Sequence, residues 1–242
     1  MFNIKGKNIL VVGASRGIGE TISKSLINEE VNVISTARSK VNYSCNYFQF
    51  DITKQSSIDK LKSYILENCK TLDGIVFAAA KSLPASKDDS SSLQHPNLFN
   101  ELICTNLLSI YNCIFHLESL IENNSSIIMI SSIGAHLAFP RNTGYQVSKA
   151  GLEALSRSLS YELAHRNIRT NSIILGYFKT KMTEISYSNP DLRAERTKRT
   201  LLNRWGDVED VTGAVNFLLS DKASYITGTS IVIDGGWLAK GL

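Results

Sequence analysis

The chain repeats one local pattern from end to end: a short, nearly continuous apolar run, then a longer stretch with apolar residues at helical spacing. "NILVVGAS" leads into "GIGETISKSLINEE", where Ile18, Ile22, Leu26 and Ile27 lie on one helical face. Further strand-type runs are "VNVISTA", "YFQFDI", "GIVFAAA", "SSIIMISS", "TNSIIL" and "SIVIDGG". Between them, "QSSIDKLKSYILENC", "NLFNELICTNLLSIYNCIFHLESLI", "YQVSKAGLEALSRSLSYELAHR" and "DVEDVTGAVNFLLSD" read as helices. Strands without polar alternation are those covered on both faces, the condition of a parallel sheet with helices above and below it. The alternation predicts an α/β fold, a doubly wound, Rossmann-like parallel sheet of seven strands in a single domain, 1–242.

Composition narrows the function classes. Hydrophobic residues make up 43% and charged residues 20%, ordinary for a globular protein. No apolar run approaches the roughly 20 residues of a membrane helix, and "MFNIKGKNIL" lacks the apolar segment of a signal peptide. The expectation is a soluble, cytoplasmic chain without a membrane partner. Cys45, Cys69, Cys104 and Cys113 form no C-x-x-C pair and have no histidine at metal-ligand spacing, so they read as reduced thiols and no metal is expected. A net charge of +4, scattered and without a basic stripe, argues against a nucleic-acid partner.

The first strand runs directly into "GASRGIG", with Gly13, Gly17 and Gly19 around Ser15, Arg16 and Ile18. Glycines let the backbone turn and approach a pyrophosphate, while the following helix offers free N–H groups and the positive end of its dipole. An acidic residue at the end of the second strand would bond an adenosine ribose; "STARS" instead places Arg38 there. Two guanidiniums, Arg16 and Arg38, suit a 2′-phosphate, so the expected cofactor is NADP(H).

Tyr145 and Lys149 are four residues apart and share one helix face. A serine thirteen residues before the tyrosine, Ser132, ends the strand-type run "SSIIMISS". With the glycine loop, these residues resemble the active-site pattern of the short-chain dehydrogenase/reductase family, and the likeness runs from "VVGASRGIG" to "YITGTSIVIDGG". The resemblance implies a carbonyl reductase in which Tyr145 is the proton donor, Ser132 holds the substrate oxygen, and Lys149 favours the phenolate and bonds the nicotinamide ribose. It gives Asn106, in "TNLLS", a water through which protons pass from Lys149. It also implies cofactor contacts from Asp51 and Ile52, from Ala78 and Ala79, and from Gly176, Phe178 and Thr180. The chemistry suits these types, because a ketone gaining hydride at carbon needs a proton and hydrogen-bond donors at its oxygen.

Two segments depart from the family. Its Asn-Asn-Ala-Gly after the fourth strand is Phe77-Ala78-Ala79-Ala80 here, and its Pro-Gly after the sixth is Leu175-Gly176. Polar segments at 81–97 and 179–207 interrupt the alternation; 177–204 is expected to form a substrate lid, and its excess of Lys and Arg suits an anionic substrate. The leading expectation is reduction of a 3-oxoacyl thioester, small or carrier-bound, with Arg166 as one basic residue where related carrier-protein reductases place one. A sugar, polyol or secondary-metabolite ketone, and a protein that binds NADPH without turnover, remain open. Family members commonly form homotetramers, so a homotetramer or homodimer is expected. Leu152, Leu155, Leu159 and Leu163 serve either that contact or the chain's own sheet, and Trp237 in the tail is a further candidate contact.

Overall fold

The computed structural model describes residues 2–82, 93–140 and 142–240. The chain runs through β1 (Asn8–Val12), α1 (Gly17–Asn28), β2 (Asn32–Ala37), β3 (Asn46–Gln49), α2 (Gln55–Asn68) and β4 (Leu72–Phe77). It continues through α3 (Pro96–Ile103), α4 (Ser109–Leu117), β5 (Ile121–Ser132), α5 (Thr143–Glu162) and β6 (Arg169–Leu175). Last come α6 (Glu184–Ser188), α7 (Pro190–Arg199), α8 (Thr212–Leu219) and β7 (Ser230–Ile233). One seven-stranded sheet results, in the order β3-β2-β1-β4-β5-β6-β7 and parallel throughout.

Strand alternation distributes the core to both faces. Leu10 and Val12 of β1, Ile75 and Phe77 of β4, and Ile127 and Met129 of β5 pack with α2, α4 and α5. Ile9 and Val11, Val76, and Ile128 and Ile130 point the other way, onto α1 and α8. Every one of these side chains is buried, which is why the strands read as unbroken apolar runs. Leu152, Leu159 and Leu163 are buried in the first of these cores with Leu155 packed against it, so this stripe serves the chain's own sheet. Trp237 likewise packs internally, with Ile133 and Ile174.

The long helix expected over 97–121 is interrupted. Between α3 and α4, Cys104–Leu108 winds as a π-helix, the loosened turn that often marks a functional position. The helical stretch Pro96–Leu120, 25 residues with an 18-residue window of mean hydropathy 1.2, is long and apolar enough by length and composition to cross a membrane, a test that the core helix of a soluble protein also passes. In the fold it forms part of the helical layer on α5 and α2. All four cysteines are free, and burial pushes the Cys113 thiol up to about 12. Residues 83–92 of the first polar segment lie outside the described residues.

Backbone proximity sets the top of the sheet. A Cβ on Gly19 would lie 2.2 Å from the Gly13 carbonyl oxygen, whereas one on Gly213, in α8, would meet nothing within 4 Å. Gly19→Ala should therefore cost about 1–3 kcal/mol through forced displacement. Gly213→Ala should stabilise by about 0.5 kcal/mol through helix propensity. Urea midpoints of the two variants should move in opposite directions.

Candidate active site

Parallel pairing brings the carboxyl ends of the strands to one edge: Val12 pairs with Phe77, and Ser132 with Leu175. The loops that leave these ends, with the helices that follow them, carry most of the residues singled out in the sequence. Gly13 has φ +95°, and a Cβ there would sit 2.5 Å from the Ala79 nitrogen. The glycine loop thus lies directly on the Ala78-Ala79 segment, leaving no room for a side chain. The Gly13 and Ala14 N–H groups both donate to the Thr36 carbonyl, at 2.8 and 2.9 Å. Ser15 and the extended Arg16 (φ −166°) then open into α1, whose first residues are Gly17, Ile18 and Gly19. Arg38 is exposed just beyond β2, and its carbonyl accepts from Gln49 Nε2 at 3.1 Å. Among the described residues neither the Arg16 nor the Arg38 guanidinium has a hydrogen-bond partner or a close ion pair, although Arg38 lies near enough to Asp51 to act on its carboxylate.

Across the edge, Thr180 reaches the same loop, with its Cγ2 3.6 Å from where a Gly17 Cβ would stand. Gly176 is pressed against Asp234, 2.7 Å from its Cβ to a would-be side chain. Phe178 is buried, and its ring packs where Gly206 leaves space. Gly17 and Thr180 line one cavity with Lys24 and Lys179, and the close-packed glycines with the two guanidiniums are of the chemistry that suits a dinucleotide. Asp51 and Ile52 contribute differently. Burial would raise the Asp51 carboxyl, but hydrogen bonds from Thr53, with Lys54 and Arg38 nearby, hold it below its usual value. The Ile52 side chain belongs to the core with Phe50 and Ile58.

Ser132 ends β5 and caps the next turn, its Oγ accepting from Gly134 N at 3.1 Å. Its hydroxyl and the Tyr145 ring both border Gly134, 3.4 and 3.5 Å from where a Cβ there would stand. Tyr145 and Lys149 project from the first turns of α5, with Lys149 Nζ 5.7 Å from the centre of the Tyr145 ring. Lys149 is 2% exposed, and its ammonium donates to the Ile130 carbonyl at 2.7 Å. Burial lowers its pKa to about 8. Burial raises the Tyr145 phenol, and the nearby Ser132 hydroxyl only partly opposes it. Among the protein's own groups desolvation dominates, and the phenol stays protonated at neutral pH.

Asn106, fully buried in the π-turn, has a structural task. Its Oδ1 accepts from Lys81 N at 2.8 Å, while Nδ2 donates to the Lys81 carbonyl at 2.9 Å and to Ser148 Oγ at 3.1 Å. The amide thereby ties the exit of β4 to α5, because Ser148 Oγ in turn donates to the Tyr145 carbonyl at 2.7 Å. With Lys149 Nζ on Ile130, the side chain of Asn106 and the ammonium are engaged separately.

Ser148 carried no recognisable signal in the sequence. Glu153 carried one, since 145, 149 and 153 share a helix face. It is 5% exposed and accepts from Ser131 Oγ at 2.8 Å, with His136 Nε2 at 3.0 Å. Beside the phenol stands an aromatic wall: Tyr177 lies 5.0 Å from Trp237, 5.2 Å from Trp205 and 6.2 Å from Phe139. The basic residues of 177–204 are largely engaged at home. Lys179 pairs with Asp207, Arg204 with Asp210 and Arg199 with Glu195, while Arg196 lies 4.9 Å over the Tyr177 ring. Arg166 is also occupied, bonding Asn123 Oδ1 at 3.0 Å and the carbonyls of Glu118 and Ile121 at the opposite edge of the sheet.

Comparison with known proteins follows the same lines. Residues 13–238 match the family profile described as Enoyl-(Acyl carrier protein) reductase. The chain is 32% identical over 245 residues to the 3-oxoacyl-[acyl-carrier-protein] reductase of Chlamydia trachomatis, covering 95% of this chain and 96% of that protein. It is 28% identical over 250 residues to 3beta-hydroxysteroid dehydrogenase 1 of Eggerthella lenta, covering 97% of this chain and 94% of that one. Among solved structures, the Pseudomonas aeruginosa RhlG/NADP active-site complex aligns with a TM-score of 0.87 at 26% identity, covering 97% of each chain.

The buried ammonium has a measurable cost. A folded pKa of about 8 lies below the unfolded 10.5, so the unfolded chain binds more protons between these values and stability rises with pH across that window. Below about pH 8 the penalty is complete. Lys149→Met should raise stability at pH 7 by about 2 kcal/mol, the desolvation relieved less one lost hydrogen bond to Ile130. That gain should shrink by pH 10, as read from urea midpoints at the two pH values.

Proposed function

The chain belongs to the short-chain dehydrogenase/reductase family of oxidoreductases, and we propose that it is an NADPH-dependent reductase of an apolar carbonyl, a 3-oxoacyl thioester first among them, to a secondary alcohol. The observation that carries this reading is the Tyr145 ring set between Ser132, with which it borders Gly134, and the buried Lys149, 5.7 Å from the ring centre, at the edge where the glycine loop lies. A bound reduced nicotinamide supplies the hydride. Tyr145 gives its proton to the carbonyl oxygen as negative charge develops there, and Ser132 holds that oxygen by a hydrogen bond. Lys149, still mostly protonated at pH 7, places positive charge beside the phenol as it becomes phenolate and draws a new proton. Asn106, through Ser148, keeps the first turn of α5 aligned with β4.

NADP(H) is favoured over NAD(H) by the two guanidiniums, with no carboxylate at the end of β2. The RhlG structure, an active-site complex with NADP, is consistent with that choice. The wall of Tyr177, Phe139 and Trp237 supports an acyl or other apolar ketone over a polyol. Paired charges across 177–204 leave little excess field, so attraction of an anionic substrate rests on fewer residues than the sequence suggests. In this reading that segment is the lid of a single domain, and the chain works in the cytoplasm. The exposed apolar face of Leu108, Tyr111, Phe115 and Val147 supports assembly into a homodimer or homotetramer.

Two variants test the reading. Tyr145→Phe should lower kcat about 10²–10⁴-fold with NADPH affinity nearly unchanged, followed as NADPH oxidation with acetoacetyl thioesters and keto sugars. Retained turnover in this variant would remove the proton-donor assignment. Arg38→Asp should raise KM for NADPH roughly 10–100-fold, through loss of a charge-assisted hydrogen bond, and improve KM for NADH. A ratio that does not move would remove Arg38 from the cofactor site.

A further inference from the structure

The loop between β2 and β3 holds a tyrosine that none of the family motifs includes. Tyr43 is half-buried, and its hydroxyl donates to the Ala14 carbonyl at 3.0 Å, inside the glycine loop. The phenol oxygen also lies 3.1 Å from Ser35 Oγ on β2. Lys24 of α1 sits 5.3 Å over its ring and bonds Glu20 at 2.6 Å. Burial pushes the phenol above its ordinary pKa, so it is a donor throughout the physiological range.

The Ala14 carbonyl and the Ser15 N–H belong to one planar trans peptide and point in opposite directions. With Ala14 N already donating to the Thr36 carbonyl, the bond from Tyr43 fixes the remaining freedom of that peptide. Drawing the carbonyl towards Tyr43 turns the Ser15 N–H to the other side, and among the described residues that N–H has no partner. Tyr43 also stands on the segment that begins with Arg38, so a single hydroxyl couples the Ser15-Arg16 wall to the Arg38 wall.

We propose that Tyr43 is a positioning residue for nucleotide selection, holding the Ala14–Ser15 peptide so that Ser15 N–H, Arg16 and Arg38 converge on the 2′-phosphate of NADP(H). This rests on the NADP(H) reading above. Tyr43 does not touch the reacting atoms, so its effect falls on binding and leaves the chemical step alone.

Tyr43→Phe removes the hydroxyl and keeps the ring under Lys24. Dissociation constants for NADPH and NADH are read from nicotinamide fluorescence on wild type and variant, with kcat at saturating NADPH and a thermal melt alongside. The NADPH constant should rise about 5-fold, the worth of one hydrogen bond, with the NADH constant and kcat each changed by less than about 2-fold. A wild type that prefers NADH removes the cofactor reading and this inference together. A wild type that prefers NADPH, paired with a variant in which both nucleotides weaken equally or neither weakens, removes the inference alone.

Discussion

Everything at the site depends on the parallel sheet having a single working edge. Because all seven strands run the same way, each crossover returns the chain to the amino end, and the carboxyl ends gather along one line. The order turns back between β1 and β4, since β2 and β3 extend to one side and β5, β6 and β7 to the other. Loops leaving β1 and β4 diverge there, and open α/β sheets bind ligands at such a point. Here the divergence is filled by backbone alone, Gly13 against Ala79 and Gly19 against Gly13. A side chain at either glycine would occupy the space that lets a nucleotide approach main-chain N–H groups.

The same edge stores electrostatic cost. Lys149 is an ammonium almost without solvent, satisfied by the Ile130 carbonyl and, among the described residues, by no carboxylate. Tyr145 is a phenol whose surroundings resist ionisation. Neither arrangement favours folding, and both are held by neutral hydrogen bonds that run from Lys81 through Asn106 and Ser148 to α5. The π-turn at Cys104–Leu108 is what aims Asn106 at the β4 exit, so an irregular helix supports a regular one. Where the family carries an asparagine after the fourth strand, this chain has alanines, and the side chain of Asn106 secures the Lys81 backbone that follows them.

Much of the fold was legible because burial on both sheet faces leaves a simple trace, unbroken apolar runs separated by helical periodicity. The π-turn left no trace: apolar spacing in "ELICTNLLSIYNC" fits a continuous helix, and one extra residue in a turn barely alters it. The leucines of α5 were ambiguous, since a periodic stripe records burial without recording the partner. Contacts with Ile127, Met129 and Phe77 assigned them to the chain's own core. Charge in 177–204 misled for a related reason, because Asp207 and Asp210, which neutralise Lys179 and Arg204, lie just outside that segment.

By itself the sequence determined the α/β alternation, the glycine loop, the absence of a carboxylate after β2 and the placing of Tyr145 and Lys149 on one helix face. Each follows from local spacing, or from the conformational freedom of a single residue type. Only the tertiary structure decided that Lys149 loses its water, that Asn106 binds backbone at Lys81, that Tyr43 grips the Ala14 carbonyl and that the aromatic wall stands beside the phenol. Those are contacts between segments distant in the chain, and desolvation and hydrogen-bond geometry exist only once packing has brought such segments together.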